Sequence, residues 1–128
     1  MAAELKRVHQ IAQHADDLDR AVVFYRDTLG LTLIARFDPP GLAFFDLGNT
    51  RLLLEQAATS VVLYFEVDDI DASHRSLVAA AVEIVAEPHR IHRDDAGDFG
   101  PVGGEEWMAF FRDSEQNLVA LVERRAPD

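Results

Sequence analysis

Ala15-Asp16-Asp17-Leu18-Asp19 returns as Val67-Asp68-Asp69-Ile70-Asp71, 52 residues further along the chain. In each copy aspartates stand directly before an apolar residue. That pattern marks a helix N-terminus, where a short carboxylate accepts from the free amides of the first turn. A second match, Ala43-Phe44-Phe45 with Ala109-Phe110-Phe111, runs at an offset of 66. The second half of the chain therefore repeats the first, and the repeat pairs positions whose chemistry can be compared.

Around the first copy, Leu5 to His14 reads as a strand. Val8, Gln10, Ala12 and His14 share one of its faces; His9, Ile11 and Gln13 share the other. Asp16 or Asp17 caps a helix in which Leu18, Ala21, Val22, Tyr25 and Leu29 recur at helical spacing, and Gly30 ends it. Leu31 to Phe37 is a strand, Asp38-Pro39-Pro40-Gly41 a turn, and Leu42–Leu47 with Arg51–Glu55 a hairpin around Gly48-Asn49.

The second half follows the same order. Val61 to Val67 is a strand, and Asp68 or Asp69 caps a helix carrying Ile70, Leu77, Val78 and Ala81. Strands at Val82–Ala86, Trp107–Phe111 and Leu118–Val122 complete it. The pattern is strand, helix, three strands, written twice: an α+β fold of two βαβββ modules, about 5–56 and about 60–125, in a single domain spanning 1–128. The second copy carries an extra segment, Glu87 to Glu106, with His89, His92, Arg90, Arg93 and Gly97, Gly100, Gly103 and Gly104. It is expected to be a loop insertion, either mobile surface or a lid.

The 128 residues are 48% hydrophobic and 27% charged, an ordinary globular composition. No apolar run reaches the roughly 18 residues of a membrane span. Met1-Ala2-Ala3-Glu4-Leu5-Lys6 lacks the apolar core of a signal peptide, so a cytoplasmic location is expected. With no cysteine there are no disulfides, thiolate metal sites or cysteine nucleophiles. The net charge of −11 repels phosphate backbones, which argues against nucleic acid and leaves room for a cationic ligand. No Gly-x-Ser-x-Gly elbow and no glycine-rich phosphate loop is present.

From Val8 to Glu123 the chain resembles the vicinal oxygen chelate superfamily of glyoxalases, bleomycin resistance proteins and extradiol dioxygenases. The resemblance rests on Asp17-Leu18-Asp19-Arg20-Ala21 and Phe24-Tyr25-Arg26-Asp27-Thr28-Leu29-Gly30-Leu31 in the first half. In the second half it rests on Phe65-Glu66-Val67-Asp68-Asp69-Ile70-Asp71 and Ala109-Phe110-Phe111-Arg112-Asp113. The family's usual Asp-Pro-Asp-Gly-Asn turn is here Asp113-Ser114-Glu115-Gln116-Asn117. The resemblance implies two βαβββ modules, each a curled sheet, forming an open cavity, and a homodimer with sites near the subunit interface.

The family's enzymes hold a metal with four ligands, usually His, Glu or Gln, His and Glu. By resemblance these stations fall on Gln10, Leu53, Val62 and Ala120. Three of the four have no lone pair, so the expectation is no metal and no cofactor. The expected ligand-binding residues are Gln10, His14, Leu53, Glu55, Val62, Tyr64, Trp107, Phe110 and Ala120, an apolar lining with few polar anchors. The parity of Phe44 against Phe45, and of Phe110 against Phe111, stays open at this point. No catalytic residue is assigned. The leading expectation is a metal-free, bleomycin-resistance-like protein that sequesters an aromatic or hydrophobic, in part cationic, drug or metabolite. The alternative is a metal-dependent lyase, isomerase or dioxygenase with ligands displaced to His14, Glu55 and the His89/His92 segment.

Overall fold

Asp17 and Asp69 are the aspartates that cap the two helices. Each has extended backbone dihedrals, and each side chain accepts the amide three residues on, from Arg20 and from Ala72, at 3.1 Å. Helix α1 spans Leu18–Val23 and continues as a π-helical turn over Phe24–Thr28; helix α2 spans Ile70–Ala79. The computed structural model describes Glu4 and residues 6 to 127. Leu5, the expected start of the first strand, lies outside the described residues, as do the expected domain's end points.

The chain divides into two compact units between Val61 and Val62. The first contains β1 (Gln10–His14), β2 (Leu33–Phe37), β3 (Leu42–Asp46) and β4 (Arg51–Glu55), in the order β1-β4-β3-β2. The second contains β5 (Leu63–Glu66), β6 (Ile84–Asp94), β7 (Gly104–Arg112) and β8 (Leu118–Arg125), in the order β5-β8-β7-β6. In each sheet the first strand runs parallel to the last and the remaining neighbours are antiparallel. The architecture is the expected α+β pair of βαβββ modules.

Each sheet buries one face under its own helix. In the first unit Ala43, Phe45, Leu52 and Leu54 are fully buried, and Tyr25, also fully buried, lies 6.0 Å from the Phe45 ring. In the second, Leu63, Ala109, Phe111, Val119 and Leu121 form the matching layer. There Glu123 accepts the Ile70 amide at the start of α2. The period-2 alternation of strands fixes the consequence: residues between these positions point to the other face.

Two expectations change. The segment Glu87–Glu106 is mostly strand: β6 continues to Asp94 and β7 begins at Gly104, leaving only residues 95–103 as a connection. Its charges and Pro88 read as a loop because β6 is an edge strand, where solvated side chains, a proline and bulges are tolerated. Gly100 and Gly104 do not serve mobility either: a Cβ at either would meet the Arg124 guanidinium, at 2.9 and 2.7 Å. That guanidinium lies 2.8 Å from buried Asp94, whose carboxylate also takes the amides of Asp98 and Phe99. In α2, Ile70 and Leu77 are buried as expected, but Val78 is exposed and Ala81 lies past the helix end.

Candidate functional site

The face of each sheet turned away from its helix carries Gln10, His14, Leu53 and Glu55 in the first unit and Tyr64, Phe110 and Ala120 in the second, and the strand register sets them in rows. In the first unit Ala12 lies across from Leu53, and Leu53 across from Phe44. In the second, Tyr64 lies across from Ala120, and Ala120 across from Phe110. These rows occupy equivalent positions of the repeat. They also fix the parity that sequence left open: Phe44 and Phe110 are on the open faces, Phe45 and Phe111 in the helix layers.

Along the first unit's open face, Gln10 pairs with Arg51 at one end and His14 with Glu55 at the other. The Gln10 side-chain oxygen accepts from Arg51 Nε at 2.7 Å, and the Arg51 guanidinium carbon stands 5.1 Å from the centroid of the Phe44 ring. Phe37 packs edge-on against Phe44 at 6.0 Å. A cleft of about 310 Å³ next to Arg51 is lined by Arg7, His9, Ile34, Asp46 and Gly48–Thr50. A second of about 300 Å³ adjoins Glu55 and Leu42.

His14 is engaged at both ring nitrogens: Nδ1 lies 2.9 Å from the Gln56 carbonyl and Nε2 2.7 Å from the Asp16 carboxylate. Two acceptors call for two donors, so the imidazolium is favoured. Its pKa rises above the ordinary value, first through the hydrogen bond to Asp16.

In the second unit Tyr64 is 57% exposed and meets Phe110 edge-on at 6.4 Å, and His89 flanks Phe110 at 6.5 Å. Ala120 is fully buried beneath this aromatic row. Val62 precedes β5 and is exposed. Trp107 falls elsewhere: it pairs with Glu123, on the helix side of β7, with Arg125 stacked 4.0 Å from its ring centroid. The register therefore does not group Trp107 with Tyr64, Ala120 and Phe110.

The family's metal was tested against these donors. Leu53, Val62 and Ala120 offer hydrocarbon, and the Gln10 oxygen is already an acceptor for Arg51. Among the described residues no three His, Cys, Asp or Glu side chains gather where an ion could be held. The residues do not fit a coordinated metal.

Residues 7–121 match the model of the Glyoxalase/Bleomycin resistance protein/Dioxygenase superfamily. The chain belongs to that superfamily. YraH of Bacillus subtilis (strain 168) is 26% identical over 133 aligned positions, covering 88% of this chain and 94% of that protein. The superfamily's solved structures include a lactoylglutathione lyase from Agrobacterium tumefaciens, 27% identical with TM-score 0.69, covering 94% of this chain and 96% of that one. TnmS3, an antibiotic binding protein from Streptomyces sp. CB03234, superposes with TM-score 0.75 at 20% identity, covering 95% and 98%. At that identity the last likeness is one of fold.

Sequence reasoning missed Arg51 and Gln13. Arg51 was read only as the start of a hairpin strand, although its place opposite Gln10 follows once β1 and β4 are paired. Gln13 is fully buried on the helix side, and its side-chain oxygen accepts the Val61 amide at 2.8 Å, tying the end of the first unit to β1. Its equivalent in the repeat is the apolar Phe65, and that contrast was the available signal.

Proposed function

We propose that this protein binds an aromatic or hydrophobic small molecule on its open sheet faces, without a metal. What supports this most is that Leu53, Val62 and Ala120, at three of the four positions where the resemblance sets metal ligands, carry no donor atom. Such faces hold a planar guest by contact area and ring stacking, with few polar groups to orient it. In the second unit Tyr64 and Phe110 supply that surface; in the first Leu53 and Phe44 supply it, with Gln10, His14 and Glu55 as the polar groups of the same face. The same fold serves antibiotic binding in TnmS3. The working state we propose is a cytoplasmic homodimer, and sedimentation as a monomer contradicts it.

Calorimetric titration with a panel of aromatic antibiotics tests the reading. Saturation below the millimolar range by at least one compound supports it; a panel without binding overturns it.

The likeness to a lactoylglutathione lyase favours a second reading, a metal-dependent enzyme with displaced ligands. It requires His14 to give up an existing partner, which places it second. Stoichiometric metal that is lost on His14→Ala would reverse the order.

A further inference from the structure

Arg51 is the cross-strand neighbour of a residue that the resemblance sets at a ligand station. It lies directly across from Gln10, the first ligand station, on the face that carries Leu53, the second. We propose that the Arg51 guanidinium is a fixed cation standing in for a metal, and that it selects a planar aromatic carboxylate as the guest. The inference rests on the small-molecule reading above and names the chemistry that the site prefers.

Three observations carry it. First, the guanidinium is oriented without being neutralised. Its Nε donates to a neutral amide oxygen, its central carbon stands over the Phe44 ring, and among the described residues no carboxylate pairs with it. Arg36, Arg90, Arg124 and Arg125 are all ion-paired. Asp46, across from Arg51 in the register, instead takes the Gly48 amide. The remaining guanidinium N–H groups form the planar fork that suits a carboxylate.

Second, the fold does not require this polar pair. Val62 is the equivalent of Gln10 at the offset of 52, and the register that makes Ala120 the equivalent of Leu53 makes Leu118 that of Arg51, so the second unit carries hydrocarbon at both places. Third, the surroundings match the proposed guest. Phe44 and Phe37 offer ring surface beside the charge, and Arg51 also borders a cleft of about 310 Å³ whose other side chains include a second cation, Arg7, and one carboxylate, Asp46. The net charge of −11 pulls the other way at long range, toward cations. An anion preference in this chain would therefore be local in origin.

The test compares 1-naphthoate with its cationic near-isostere, 1-naphthylmethylammonium, by calorimetry at about 0.15 M salt, where exposed charges beyond roughly 8 Å are screened. The intact protein is expected to bind naphthoate about three- to tenfold more tightly than the ammonium, the scale of one exposed charge-assisted contact. Arg51→Gln abolishes that preference, Arg51→Lys retains part of it, and the Arg51 Nε–H resonance shifts on adding naphthoate to the intact protein. Equal binding of the two probes, or a preference unchanged in Arg51→Gln, overturns the inference and leaves the binding function standing. Failure of both probes to bind overturns the inference, and the antibiotic panel alone then decides the binding function.

Discussion

Leu53 and Ala120 hold the same place in the two sheets, each lying in register between a first-strand residue and a phenylalanine. The bulk is redistributed between the copies. Ala12, Leu53 and Phe44 run small, large, large; Tyr64, Ala120 and Phe110 run large, small, large. Both sheets keep a buried apolar residue at the centre of the row.

Truncation separates the two roles within these rows. Leu53 is 7% exposed and Tyr64 57%. Leu53→Ala should destabilise the protein by about 2–4 kcal/mol through lost packing, measured by chemical denaturation. Tyr64→Ala should change stability by no more than about 0.5 kcal/mol yet weaken an aromatic guest by about tenfold. Undiminished affinity in Tyr64→Ala would remove that ring from the binding face.

His14 makes stability depend on pH. Its folded pKa lies above the ordinary 6.5, because the charged ring is held by Asp16 and then by the Gln56 carbonyl. A raised pKa supplies stability that is complete below about 6.5 and fades as pH climbs through the folded value. Melting temperature should therefore decline between pH 6.5 and the folded value, and His14→Gln should flatten that decline. An identical pH profile in the variant contradicts the assignment.

Asp94 behaves in the opposite sense. Its pKa is lowered from 3.8 to about 2, first by the Phe99 amide, then by Arg124 and the Asp98 amide, against the opposing effect of burial. The stability it supplies is present above pH 3.8 and is lost as pH falls through about 2. At pH 3 the amides of Asp98 and Phe99 should still be protected from hydrogen exchange, and Asp94→Asn should expose both. Protection that survives the substitution would show that another group orders residues 95–103.

Gln116 occupies the glycine position of the superfamily's turn with φ at 68°. The turn closes around Asp113, whose carboxylate accepts the amides of Glu115 and Asn117. Relief of a left-handed side chain is worth about 1 kcal/mol, so Gln116→Gly should raise Tm by about 3–5 °C. Calorimetry that shows no gain would mean the glutamine is accommodated without strain.

The duplicated aspartate motif made the fold legible, because helix capping is local and leaves its mark at fixed spacing. Strand alternation in Gln10–His14 and the hairpins then placed Gln10, His14, Leu53, Glu55, Tyr64 and Ala120 on the open faces. Trp107 was misplaced although it stands three residues before Phe110 on β7, which pairs with β8 without a register shift, so alternation alone sets the two on opposite faces. The hairpin of β6 and β7 was hidden by arginines and histidines that an edge strand carries into solvent. Arg51 escaped because its significance is a cross-strand relation 41 residues away, visible only once β1 is seen to run beside β4.

The central claim is that the sheet faces of this superfamily member grip a guest without a coordinated ion. Elemental analysis of protein purified without chelator tests it most directly. Zinc, nickel, iron and manganese should all lie far below one ion per chain, and adding them should not shift the melting temperature. One tightly held ion per chain, released when His14 or Glu55 is replaced by alanine, would contradict the account.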